Sequence, residues 1–219
     1  MSTSQKLRSA ADEKLASFWK ETSRCRICAT LAPHRKFPAG KRGTARYGLM
    51  ILGEAPGRVS LENGRPFSNS RNLTVRRAFA MAIAPRSLEP EELFYFTDAV
   101  KCWPASPTGA NRSPSGRETA TCVARHLARE IEIIRPKVIF AFGAKASSSA
   151  LGYPVKLAEA HGKAVTNPAG IRVIALMHPS PINIAGMRRV GIRSLEQYER
   201  ELAAIFRREI TSILAQFDA

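Results

Sequence analysis

The sequence predicts an α/β fold, a three-layer α/β/α arrangement around a central four-stranded, mainly parallel sheet, with residues 1–219 forming a single domain. Three observations predict it. Four short segments, "RYGLMILGE" (46–54), "LFYFTDAVKC" (93–102), "KVIFAFG" (137–143) and residues 171–177, are nearly continuous apolar runs. That is the pattern of strands buried on both faces, not of half-exposed strands. Helical segments lie between them, and strand–helix alternation marks parallel crossovers. Finally, 219 residues with a 44% apolar fraction suffice for one sizeable core.

The elements follow in order. Residues 5–20 carry Leu7, Ala11, Leu15 and Phe18 at helical spacing. The first strand closes on glycine. "RNLTVRRAFAMAIA" (71–84) is expected to be a helix stopped by Pro85. An aromatic-rich second strand leads to a helix running from about Pro114 and ended by Pro136. The third strand is followed by a short Ala/Ser helix to Leu151. Asn167–Gly170 read as a hairpin turn before the fourth core strand. Ser194, with Gln197 placed for a capping box, starts an amphipathic helix running to about Phe217.

Net charge is the strongest bulk feature. Lys and Arg total 34 against 18 acids, giving +16. Most of the excess is arginine, which suits bidentate phosphate contacts, so the expected partner is a polyanion. No apolar run approaches membrane-spanning length and the N-terminus lacks the apolar core of a signal peptide, so a cytoplasmic location without membrane association is expected. Of four cysteines, Cys25 and Cys28 form a C-x-x-C pair and Cys102 and Cys122 lie far downstream. In a reducing compartment this set points to metal or cluster ligation more than to disulfides. Zinc and an iron–sulfur cluster are both compatible with four thiolates.

In open parallel sheets, ligands bind beyond the carboxyl ends of the strands. Glu54, Asp98, Gly143 and His178 each follow one of the four strands, so the fold predicts that they converge. Phe67 lies on the loop returning from the first strand. "PSPINIAGMRRVGIR" after His178 reads as a turn suited to a nucleic-acid groove. Ile182, Ile184 and Met187 would act as an apolar wedge, with Arg188, Arg189 and Arg193 as phosphate contacts. "KFPAGKRGTAR" (36–46) reads as a second phosphate-binding loop.

These residues carry a family resemblance. "GEAPGRVSLENGRPF" and "HPSPINIAGMRR", with "FTDAVKCWPASPTGANRSPSGRETATC" and "IRPKVIFAFGAKA" between them, resemble the motifs of the uracil-DNA glycosylase superfamily in the right order from Cys25 to Ser180. The resemblance is greatest to its iron–sulfur, family 4 branch; the long "HPSPIN" form resembles other branches and suggests a divergent one. It implies a [4Fe–4S] cluster on Cys25, Cys28, Cys102 and Cys122. It also implies a monomeric, monofunctional DNA repair enzyme that flips uracil out of single- or double-stranded DNA. Water would hydrolyse the glycosidic bond, leaving an abasic site without strand cleavage.

In that reading Gly53, Ala55, Phe67, Asp98 and His178 bind the base, Phe67 by stacking. Glu54, Asp98 and His178 are the catalytic residues. Glu54 orients water and stabilises the cationic sugar, and His178 stabilises the departing uracil anion. Ser180, Ile182, Asn183, Arg188 and Arg189 face the DNA. Two positions depart from the family pattern. Asp98 stands where asparagine is expected, and an ionised aspartate can accept from uracil N3–H but cannot donate to O4. Ser60 and Leu61 replace an acidic pair, with Glu62 offset by one. The alternatives are a glycosylase for another deaminated base and a DNA-binding protein of the same fold with weakened catalysis.

Overall fold

The computed structural model describes residues 3–32, 42–68, 73–180 and 183–216. Its elements are α1 (Thr3–Ser23), β1 (Leu49–Gly53), α2 (Arg58–Glu62), α3 (Thr74–Ile83), β2 (Phe94–Asp98), α4 (Gly116–Cys122), α5 (Ala128–Ile134), β3 (Val138–Phe142), α6 (Ala144–Leu151), α7 (Leu157–Ala160), β4 (Ala164–Thr166), β5 (Arg172–Leu176), α8 (Ile184–Arg189) and α9 (Leu195–Leu214). A π-helical segment, Val123–Leu127, joins α4 to α5.

The sheet has five strands in the order β2-β1-β3-β5-β4, not four. The four expected strands are its parallel part, and the fifth is the short antiparallel partner of β5. The hairpin turn sits where the sequence placed it. The Asn167 side-chain oxygen accepts from the N–H groups of Ala169 (3.0 Å) and Ile171 (2.9 Å), closing the turn that makes β4.

Strand alternation sorts the core into two layers. Leu49, Ile51, Phe94, Phe96, Phe140 and Ile174 face one side, where they meet Val75, Ala78 and Phe79 of α3 and Tyr198, Leu202 and Phe206 of α9. Met50, Leu52, Tyr95, Ile139, Ala141 and Val173 face the other, against Leu15 of α1, Leu127, Ile134 of α5 and Ala146 and Leu151 of α6. Both faces being covered is why the strands read as unbroken apolar runs. At the start of α9, Ser194 caps as expected, accepting from the Gln197 N–H at 3.1 Å. Gln197, however, reaches back to the Arg193 N–H (2.8 Å), one residue before the cap.

The phosphate-loop expectation for residues 36–46 is corrected where it can be seen. Residues 33–41 lie outside the described residues, and residues 42–44 dock on the edge of β2. The Phe96 N–H donates to the Arg42 carbonyl (2.7 Å) and the Thr44 N–H to the Phe94 carbonyl (3.1 Å). Gly43 comes so close that a Cβ there would lie 1.9 Å from the Phe94 oxygen. The Arg42 guanidinium stacks 3.3 Å over the Trp19 ring, so it is committed to packing.

One buried ion pair ties the end of β2 to the helical layer. Lys101 and Glu130 are 1% and 0% exposed, with Nζ 2.5 Å from Oε2. Lys101 Nζ also donates to Thr97 Oγ1 (2.8 Å) and to the Asp98 carbonyl (2.5 Å). Tyr95 and Thr97 hydroxyls donate to the two Glu130 oxygens, each at 2.8 Å. Every polar group of the pair is thus occupied. Replacing Glu130 with Gln should leave the buried ammonium without its counter-charge and cost about 3–5 kcal/mol of folding free energy. Urea unfolding of Glu130→Gln beside the wild type checks this; a loss under about 1 kcal/mol contradicts it.

Candidate active site and cysteine pocket

The strand ends converge as the topology requires. Gly53 and Asp98 are register partners at the ends of β1 and β2. The backbone continues the pairing beyond them, with the Ala99 N–H on the Gly53 carbonyl (2.9 Å) and the Val100 N–H on the Glu54 carbonyl (3.0 Å). Asp98 lies directly against Gly53: a Cβ on Gly53 would fall 2.2 Å from Asp98 Oδ1 and 3.5 Å from the Phe67 ring. Only glycine leaves room there for a carboxyl to face an aromatic ring across a strand end.

Phe67 reaches that position with a left-handed backbone, φ +50°. This conformation is uncommon for a bulky side chain and carries a local cost. Packing holds it, with its ring centroid 5.4 Å from Phe142, 6.1 Å from Phe96 and 6.4 Å from His178. His178 follows β5. The Met177 carbonyl before it takes the Tyr198 hydroxyl, and the Met177 N–H donates to His161 Nδ1 at 3.1 Å. On its other side, the His178 carbonyl accepts from the Ser180 N–H (2.8 Å) and the Asn183 side-chain amide (3.3 Å). The backbone around the imidazole is therefore fixed from both directions. Burial pushes the His178 pKa down, with Glu54 opposing, so the ring is neutral near neutral pH.

Burial pushes Asp98 the other way, up to about 6, against the nearby positive charges of Lys101 and Arg42. Glu54 is half-exposed and has partners the sequence reading missed. Ser113 donates its hydroxyl to Glu54, and Lys145 lies 3.4 Å from the same oxygen. Lys145 also bonds the Ser113 hydroxyl and the Pro114 carbonyl. Both residues sat next to flagged features: Ser113 in "NRSPSG", and Lys145 two residues beyond Gly143 at the third strand end. Neither showed a signal of its own, because their meeting is made by the loop from Lys101 to Pro114.

Several expected site residues are placed differently. Residues 183–189 form Asn183 and α8, not an open turn. Met187 is 1% exposed and packs in the core, so it is no wedge. Burying its side chain is what seats α8, and Arg188 and Arg189 remain exposed on it. Ser180 is half-buried and Asn183 serves the His178 carbonyl. Ile182 lies outside the described residues. Glu62 points to solvent at the end of α2, 3.6 Å from Arg58. Ala55 packs against the buried cluster of Leu31, Val100 and Cys122, as do Cys28 and Cys102.

All four cysteines are free and line one pocket with Leu31, Lys101 and His126. Burial raises the Cys28 and Cys122 thiols, and burial together with the other three cysteines pushes Cys102 up to about 12. The Lys101 N–H donates to Cys122 Sγ at 3.2 Å. Among the described residues, no three of His, Cys, Asp and Glu gather closely enough to hold a single metal ion. As donors, four thiols around one pocket fit a cationic centre, which would favour the thiolate forms that burial disfavours at Cys28, Cys102 and Cys122.

Comparison with known proteins places the chain in a family. The family model described as the uracil DNA glycosylase superfamily matches residues 40–202. A type-4 uracil-DNA glycosylase of Pyrobaculum aerophilum is 29% identical over 201 residues, covering 89% of this chain and 92% of that protein. A type-4 uracil-DNA glycosylase of Thermotoga maritima is 29% identical over 153 residues, covering 68% and 74%. A type-5 uracil-DNA glycosylase of Pyrobaculum aerophilum is 29% identical over 197 residues, covering 80% and 83%. Among the described residues, no helix is long and apolar enough to cross a membrane.

Proposed function

The chain belongs to the uracil-DNA glycosylase superfamily, and from that membership and the geometry of the strand ends we propose that it excises uracil from DNA by hydrolysing the N-glycosidic bond. The observation that carries the proposal is the gathering of Phe67, Asp98 and His178 at one sheet edge, with Phe67 against Gly53 and His178. A flipped pyrimidine needs a flat apolar partner and a polar edge reader. Phe67 offers the first, and its strained backbone suits a ring held ready before the base arrives. Asp98 offers the second.

His178 is the donor to the departing base. A neutral imidazole keeps one N–H, with which it can donate to uracil O2 as negative charge develops there. Glu54 is the acid facing the sugar, where a carboxylate stabilises developing positive charge and orients water. Ser113 and Lys145 hold that carboxylate in place. Exposed Arg188 and Arg189 on α8, immediately after the His178 loop, are positioned for phosphates, with Ser180 and Asn183 shaping the loop between. The whole chain acts as one domain and one monomer in the cytoplasm. A uracil-containing oligonucleotide, with alkaline cleavage of the product, should report abasic sites; binding without them would favour a DNA-binding protein of the same fold. His178→Ala should lower turnover by roughly 10²–10³-fold, as expected for a lost transition-state donor, and near-normal turnover removes His178 from the mechanism.

Asp98 gives this reading a pH signature. A neutral carboxyl can accept from uracil N3–H with its carbonyl and donate to O4 with its hydroxyl, as an amide does. The ionised form repels O4. Because the Asp98 pKa is raised to about 6, the neutral form prevails below that value and is lost above it. Uracil excision should therefore fall as pH rises through about 6, and Asp98→Asn should remove that limb. Rate profiles from about pH 5 to 8, run on uracil and cytosine substrates, check this; identical profiles for the two proteins refute it.

The four cysteines are proposed to hold a [4Fe–4S] cluster, which ties the loop after α1 to the segment following β2. The support for this is the donor set itself, four cysteines lining one pocket, together with membership of the superfamily. Protein purified anaerobically should be brown and contain iron; colourless, zinc-loaded protein would overturn the assignment.

A further inference from the structure

A second concave surface lies beside the cysteine pocket and has no part in the reading above. It is a groove of about 570 Å³ formed by the end of α1, the Cys25 loop and the π-helical segment with the start of α5. Its walls carry Arg24, Arg26, Arg125 and Arg129, with Glu21 and Ile27. Only Arg129 is neutralised, by an ion pair with Glu21. Arg24, Arg26 and Arg125 form no ion pair among the described residues and are exposed. Arg26 meets only the Cys25 carbonyl, at 3.3 Å. His126, which also lines the groove, is pushed down to about 4 by burial and the surrounding cations, so it adds no charge at neutral pH. Three like charges converging on one groove repel each other unless an anion lies between them. Ile27 is 51% exposed beside them.

The groove's place in the sheet says which anion it fits. The strand order β2-β1-β3-β5 sets His178 and α8 at the β5 side, and Asp98 with the cysteine segment that follows it at the β2 side, Gly53 of β1 lying next to Asp98. Ala55 of the motif loop packs on the cluster of Leu31, Val100 and Cys122, and the groove adjoins the cysteine pocket through Thr22, Cys25, Ile27, Arg125 and His126, which line both. A chain of phosphates crossing the carboxyl edge of the sheet from α8 past Glu54 would enter this groove next. Arg125 and His126 sit in the π-helical turn, and such turns occur frequently at functional sites.

We infer that this arginine groove is a phosphodiester-binding track for the substrate strand beyond the flipped nucleotide. The choice of DNA as occupant rests on the glycosylase reading. The groove is distinct from the base site, since none of its arginines is near Phe67, Asp98 or His178 in the interactions above. The contact is electrostatic and sequence-independent, so it extends the footprint without reading bases. Each phosphate neutralised contributes about 0.7–0.9 to the slope of log affinity against log salt.

The test is binding by fluorescence anisotropy with uracil-containing and uracil-free single strands of about 5 and about 16 nucleotides. It uses the full chain with Arg24, Arg26 and Arg125 all changed to Gln and its metal content matched to the wild type. On the longer strands the salt slope should fall by about 2, with a much smaller change on the shorter ones. An unchanged slope on the longer strands overturns the inference and would leave the groove to an acidic protein partner. An equal fall on both lengths also overturns it, because the arginines would then act at the base site. The outcome is separable from the enzyme reading. A wild type that binds through the groove but releases no uracil upholds the track and sinks the glycosylase. Uracil release with an unchanged slope does the reverse.

Discussion

The buried ammonium of Lys101 is the interaction around which the rest of the molecule is arranged. It sits three residues past the end of β2, where a parallel strand has run out of ladder partners. There it donates to a carboxylate, a hydroxyl and a backbone carbonyl. The carbonyl belongs to Asp98 and the carboxylate to α5, so one charge fixes both the end of the strand and the helix covering it. The same residue's backbone N–H reaches Cys122. A pair buried this deeply is weak evidence for stability in itself. Its value lies in direction, since Lys101 satisfies all its donors only when the Asp98 turn and the cysteine segment are both in place.

From that anchor the site follows by exclusion of space. Asp98 can lie over β1 only because residue 53 has no side chain, and Phe67 can face it only from a backbone conformation that bulky residues avoid. The electrostatics are divided as sharply. Of the two acids, one is sheltered and kept toward its neutral form, while the other is half-exposed and held by a hydroxyl and an ammonium. The imidazole of His178 is held toward its uncharged form by burial. Carboxyls placed in unlike surroundings take unlike roles. One acid suited to hydrogen bonding a base and one suited to facing a sugar cation is the division a glycosidic cleavage calls for.

Much of this was legible in the sequence, and the reasons differ by element. The four parallel strands stood out because burial on both faces removes polar residues from them. That the segments after β1, β2 and β5 lie at one edge of the sheet followed from parallel topology, and the hairpin followed from its turn residues, Asn167–Gly170. The fifth strand was hidden because Ala164–Thr166 is too short and too exposed to show a pattern. Met187 looked like a wedge because an apolar residue between arginines has the same appearance in a loop and on the inner side of a short helix. Lys145 and Ser113 could not be found because their partner is set by a loop of irregular path. The buried Lys101 looked like any surface lysine, since nothing in its neighbours announces that Glu130, a full helix away, will meet it.

The net charge illustrates the same point in physical terms. Counted along the chain, the arginines look like one undivided attraction for phosphate. In the fold many are spent on structure. Arg65 and Arg76 share Glu91, Arg112 takes Glu118, Arg172 and Arg208 share Glu209, and Arg42 stacks on Trp19. These arginines hold loops and helix ends and are poorly placed to release themselves to DNA. Exposed arginines remain elsewhere, among them Arg188 and Arg189 on α8 and Arg24, Arg26 and Arg125 around the Cys25 loop. Under the proposed track, the placement of these exposed guanidiniums, more than the total of +16, is what steers a strand toward the acids and the imidazole.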